Sequence, residues 1–217
     1  MSEPAGAAAA KVLNGFDDPA FQSRRVQNWM VLGFLYAFFY ATRYNLSALS
    51  GQLCTYFGWT NTEYGIFETM MPLIYGLAVL VNGPIADRIG GKKVFLIGAF
   101  GVVVMNVAFG FGTLAVLTPA VWSGTGKVAV VVTPAVLRYC LSHGTVIAIL
   151  ATVWGFNGYF QSFGALSIVK VNAQWFHVRE RGTFAGIFGV LIRFGLILAF
   201  SGVPLIITVL PLRFEIG

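Results

Sequence analysis

GFLYAFFYATRYNLSALS, residues 33–50, is a run of apolar and aromatic side chains broken by one arginine, Arg43. Stretches of this kind recur along the chain at lengths near 20 residues, which at about 1.5 Å rise per residue match a hydrocarbon core of roughly 30 Å. Across all 217 residues, 57% are hydrophobic and 10% charged, against about 25% charged in an ordinary soluble domain. The chain reads as an all-α membrane protein, because barrel strands would alternate polar and apolar over about 10 residues. The net charge of +6 comes from basic residues lying between apolar runs. They form no continuous patch, so nucleic acid is not an expected partner.

The apolar runs predict five spanning helices, at about 29–50, 63–86, 94–118, 145–168 and 183–210, in a polytopic bundle. Residues 1–28 hold no apolar core with a small-residue cleavage site, so they read as a cytoplasmic tail and not as a signal peptide. Residues 123–144 contain Pro134, Lys127 and Arg138 and read as a long outer loop. Lysine and arginine placement sets the orientation. Nine of the 14 fall on one side: Lys11, Arg24, Arg25, Arg88, Lys92, Lys93, Lys170, Arg179 and Arg181. That side is expected to be the cytoplasm, with the amino terminus inside. Trp29, Trp59 and Trp175 fall near span ends, where amphipathic rings favour the headgroup layer.

An arginine at the centre of a span costs roughly 2.5–3.5 kcal/mol even on lenient insertion scales. Arg43 lies about 14 residues, or some 21 Å, beyond Trp29, too deep to reach the inner interface. At helical spacing it shares a face with Tyr36, Tyr40 and Ser47. The second span collects Tyr64, Glu68, Met71, Tyr75 and Asn82 on one stripe, and the fourth collects Asn157, Gln161 and Gly164. Polar stripes inside a membrane face a bundle interior or a wet cavity. The tyrosines either bond neighbouring helices or line that cavity. For Arg43 the partner is either a buried carboxylate, with Glu68 the candidate, or an anion from solution. Guanidinium offers a planar fork of donors suited to phosphate or carboxylate oxygens. Arg193 in the fifth span is a second deep cation, open to structural pairing or to the same anion. Only Glu68 is a candidate for an intramembrane proton relay.

NGPIADRIGGKK, residues 82–93, links the second and third spans, with Pro84 and the glycines suited to a tight turn. Its Gly83, Asp87, Arg88 and Gly90 resemble the signature loop of the major facilitator superfamily. Residues 157–188 narrow the resemblance: the FQ-x-x-G step at 160–164, the Trp175-Phe176 pair and Glu180-Arg181-Gly182 look like the organophosphate:phosphate antiporters, which carry glycerol 3-phosphate and hexose phosphates. RYNLSA at 43–48 points the same way. The resemblance covers residues 29 to about 205.

That resemblance implies a secondary transporter of an inner (plasma) membrane, exchanging a phosphorylated metabolite for inorganic phosphate. It implies that Arg43 binds the substrate phosphate, with Tyr36, Tyr40 and Tyr75 around it. Tyr159 aligns with a fourth-helix tryptophan of the glycerol-3-phosphate carriers, and Ile192, beside Arg193, with their fifth-helix histidine. Tyr44 and Val79 stand where those carriers have lysines, which leaves the organic part of the substrate open. The family has twelve helices in two halves, so the chain is expected to be the incomplete amino-terminal half of that fold, unable to transport without the carboxy-terminal half. Some proteins resembling these carriers sense external sugar phosphate and signal to a membrane kinase; a sensor is therefore the alternative, with a facilitator for another organic anion behind it. Enzymatic activity, a cofactor and a metal are not expected: no nucleophile and base share a loop-borne cleft, and Cys54 and Cys140 lack metal-ligand spacing. SGTGK at 123–127 lacks the residues of a phosphate-binding loop.

Overall fold

A computed structural model of the chain describes residues 18–120, 143–176 and 179–209, and every regular element among them is helical. Helix α1, Pro19–Ala48, starts ten residues ahead of the expected span because Asp18 caps it: its Oδ1 accepts from the Ala20 amide at 3.0 Å, and Pro19 sits where a missing N–H costs nothing. A short helix α2, Ser50–Phe57, ends on Gly58 at φ +66°, a left-handed conformation that favours glycine. Helix α3, Asn61–Ile89, opens on a capping box in which the Thr60 hydroxyl accepts from the Glu63 amide and Glu63 returns a bond to Thr60 N–H.

Gly90, at φ +90°, separates α3 from α4, Gly91–Ala120. The expected loop at 82–93 is thus corrected. Gly83, Asp87 and Arg88 lie in the last turns of α3, with Pro84 inside the helix, and Gly90 alone makes the turn. Helix α5 is His143–Trp175, and α6, Arg181–Ile197, runs into a π-helical turn, Leu198–Gly202, and then α7, Val203–Val209. The widened turn precedes Pro204, which lacks the N–H an ordinary helix needs and crowds the preceding turn. The expected outer loop at 123–144 falls almost wholly outside the described residues.

Among the described residues, four segments are long and apolar enough to cross a membrane: Asn61–Ile89, Gly91–Thr113, Gly144–Ala173 and Arg181–Ile206. The expected fifth, α1, has the length, at 30 residues, but its tyrosines, Arg43 and Asn45 reduce its mean hydropathy. Helix α5 packs against α3 and α4 and touches α1, which lies mainly along α6. Glycine permits two of these approaches: a side chain at Gly158 of α5 would meet the Met71 carbonyl of α3, and one at Gly195 of α6 the Ala37 carbonyl of α1.

Two apolar clusters occupy opposite ends of the bundle. One holds Leu46, Phe67, Met71, Phe109, Leu150 and Trp154; the other includes Trp29, Phe39, Phe95, Ile168, Phe176 and Phe188. Trp29 and Trp59 are buried within these clusters, where aromatic neighbours offer more contact than headgroups would. The expectation of interfacial rings is corrected for both.

Candidate functional site

Between the two apolar clusters lies a polar layer. On α1, α4 and α5 the sequence switches from one cluster to the other at Arg43 and Asn45, at Asn106, and at Asn157 and Gln161. These side chains bond one another across the helices. Asn45 Nδ2 donates to Asn106 Oδ1 at 3.0 Å, Asn106 Nδ2 to Asn157 Oδ1 at 3.4 Å, and Gln161 Nε2 to the same Asn157 oxygen at 3.5 Å. Asn157 and Gln161 are fully buried; Asn157 Oδ1 accepts from both neighbours while its Nδ2 is buried without a partner among the described residues.

Arg43 is the charged member of this layer. Its Nε donates to Gln161 Oε1 at 2.7 Å, and its guanidinium lies 4.9 Å from the centre of the Tyr40 ring and 4.6 Å from that of Tyr75. Cation–π contacts contribute about 0.5–2 kcal/mol each, and a hydrogen bond to a charged group about 1.5–3 kcal/mol. Together they offset an insertion cost of roughly 2.5–3.5 kcal/mol, so no carboxylate is required. None is present: among the described residues Arg43 forms no ion pair, and its Nη2 is buried without a partner. Glu68, the carboxylate considered for it, instead accepts from Ser47 Oγ at 2.7 Å and from the Tyr64 hydroxyl at 2.6 Å.

Tyr36 stands against Tyr40, ring centres 5.3 Å apart, and against Phe188. Tyr36, Tyr40, Arg43 and Tyr75 thus come together. Tyr159 does not join them; its ring meets Phe160 and Phe163, and its carbonyl accepts from Asn82 and Ser162. The resemblance places Tyr159 on α5 but leaves its direction open, and Gln161, on the polar stripe with Asn157 and Gly164, is the α5 side chain that reaches the guanidinium. Arg193 is exposed on α6 and has no hydrogen bond or ion pair among the described residues.

At the other end of α3, Lys170 of α5 pairs with Asp87 and reaches the Gly83 carbonyl at 3.5 Å. Arg25 of α1 pairs with Glu180 at 2.9 Å and lies over Phe176 and Phe184, while Arg181 donates to the Ala173 and Phe176 carbonyls at the end of α5. These contacts gather the start of α1, the α3–α4 turn and the α5–α6 link at one end, the end rich in lysine and arginine.

Comparison with known proteins gives a match to the family described as Major Facilitator Superfamily over residues 32–214. The chain is 24% identical to the membrane sensor protein UhpC of Salmonella typhimurium over 147 residues, 68% of this chain and 26% of that protein. It is 22% identical to a probable hexose phosphate transport protein of Chlamydia trachomatis, over 77% of this chain and 31% of the relative. To the glycerol-3-phosphate transporter of Bacillus subtilis it is 24% identical, over 80% of this chain and 32% of the relative. The matches thus span about a third or less of these relatives' length. No solved structure gives a significant match.

Proposed function

The chain belongs to the major facilitator superfamily, and from that premise we propose that its helices form one wall of a transport pathway in which Arg43 anchors the phosphate of a phosphorylated organic metabolite. The observation that carries this reading is the state of Arg43: a guanidinium within a membrane bundle, lying over two tyrosine rings, held at Nε by a neutral amide and left with an unpartnered Nη2. A cation stabilised without neutralisation is available to an anion, and its remaining donors form the edge that bidentate recognition of phosphate uses. Tyr36, Tyr40 and Tyr75 would surround the phosphate with neutral groups, and Arg193 would add a second positive charge to the pathway.

The reaction proposed is exchange of the organophosphate for inorganic phosphate, by rocking of this half against a second half across a site near the membrane midplane. The end rich in lysine and arginine is assigned to the cytoplasm of a plasma (inner) membrane. The hexose phosphate and glycerol-3-phosphate carriers among its relatives support this substrate class. Similarity to a membrane sensor supports a second reading, in which the same anchor detects a sugar phosphate and passes the signal to a membrane kinase; measurable organophosphate flux favours the carrier.

Arg43→Lys is the test. Lysine keeps the charge but loses the fork and the planar stack. Equilibrium binding of inorganic phosphate by the lipid-reconstituted chain is expected to fall at least about tenfold, the effect of roughly 1.4 kcal/mol. Unchanged binding would overturn the anchor.

A further inference from the structure

Arg43 accounts for a phosphate but not for the group that carries it. One turn further along the same face of α1 is Ser47, whose hydroxyl donates to Glu68 Oε1 at 2.7 Å; the Tyr64 hydroxyl donates to that same oxygen at 2.6 Å. Glu68 is exposed, its Oε2 accepts no bond among the described residues, and no lysine or arginine there pairs with it. A carboxylate within a spanning helix is costly and is usually paired with a cation. Here two neutral hydroxyls from two helices orient it and leave its charge in place.

Resting on the phosphate reading of Arg43, we propose that Glu68, held by Ser47 and Tyr64, is a second subsite that accepts hydrogen bonds from the hydroxyls of a polyhydroxylated organic phosphate. Ser47 lies four residues beyond Arg43, about 6 Å along the helix axis. That is the reach from a phosphate ester to the hydroxyls of its own carbon skeleton. The carboxylate strengthens bonds from neutral hydroxyl donors and disfavours a second anion at its own position. Inorganic phosphate occupies the Arg43 end alone, so Glu68 separates the ester from the inorganic ion.

The experiment measures equilibrium binding of inorganic phosphate and of a hexose 6-phosphate to the chain in lipid nanodiscs. In Glu68→Gln, hexose phosphate is expected to bind about tenfold more weakly, as for loss of a charge-assisted hydrogen bond, with inorganic phosphate unchanged or tighter. Ser47→Ala, which removes one of the two hydroxyls that hold the carboxylate without altering charge, is expected to shift the same ratio in the same direction by a smaller factor and guards against misfolding of the first variant. If neither variant changes the ratio while Arg43→Lys still weakens both ligands, the subsite is wrong and the phosphate anchor stands. If Arg43→Lys weakens neither ligand, the anchor fails and the subsite with it.

Discussion

Gln161 decides which donors Arg43 keeps for a ligand. Its Oε1 takes the Nε proton at 2.7 Å, and its own amide is fixed by Asn157, so the guanidinium plane is set by a neutral network. Exchange of that amide for a carboxylate is nearly isosteric but places a negative charge against the cation in a site of low dielectric, where such a pair is strong. Gln161→Glu is therefore expected to reduce phosphate binding more than tenfold, whereas Gln161→Leu, which leaves the charge but frees the side chain, reduces it less. Titration of the lipid-reconstituted variants with labelled phosphate checks the order; equal losses would show that Gln161 acts only by packing. Helical spacing had already placed Tyr36, Tyr40 and Arg43 on one face, and Gln161 on a polar stripe. Which α5 residue met the arginine was not legible, because Tyr159 and Gln161 lie two residues apart on a helix whose rotation is set by packing against α3 and α4.

At the level of helices, close approach and local chemistry separate residues that look alike in the sequence. Gly158 and Gly83 are both glycines in helices, yet a side chain at Gly158 meets the Met71 backbone and one at Gly83 meets nothing within 4 Å. Gly158→Val is expected to part α3 from α5 and cost about 1–3 kcal/mol, the range for overpacking. Gly83→Ala is expected to be neutral or slightly stabilising, since alanine favours a helix interior. Thermal unfolding of both variants in detergent measures the contrast. The extended start of α1 and the capping box at Thr60 are also local matters, carried by Asp18-Pro19 and by Thr60-Asn61-Thr62-Glu63, polar residues that lie outside the apolar runs. By contrast, the signature segment at 82–93 looked like a loop because Pro84 and its glycines favour turns; α3 nevertheless continues through it, and only Gly90 adopts the backbone that breaks the helix.

For the molecule as a whole, the ion pairs Arg25–Glu180 and Lys170–Asp87 bring three separated basic segments to one end. Lys170–Asp87 is partly exposed and Arg25–Glu180 is half-buried; a surface pair contributes at most about 1 kcal/mol, and orientation rests on the collective charge and not on either bridge. With Cys54 and Cys140 replaced by serine, single cysteines replacing Arg88 and Thr62, at opposite ends of α3, are expected to react with an impermeant maleimide from opposite sides of the membrane: Arg88→Cys from the cytoplasmic face and Thr62→Cys from the outer face. Labelling of inside-out and right-side-out vesicles reads the result, and reversed accessibility would reverse the proposed orientation.

Helical class, membrane residence and the arginine with its tyrosine face were determined by the order of residues alone, because length, hydropathy and helical period are properties of neighbours along the chain. Tertiary structure decided the rest. It gave Arg43 a neutral amide in place of a carboxylate, sent Glu68 to Ser47 and Tyr64, turned Tyr159 away and drew Trp29 and Trp59 inward. Each of these choices depends on how one helix is rotated against another, and that rotation is set by packing between segments far apart in sequence, which no periodicity within a single helix encodes.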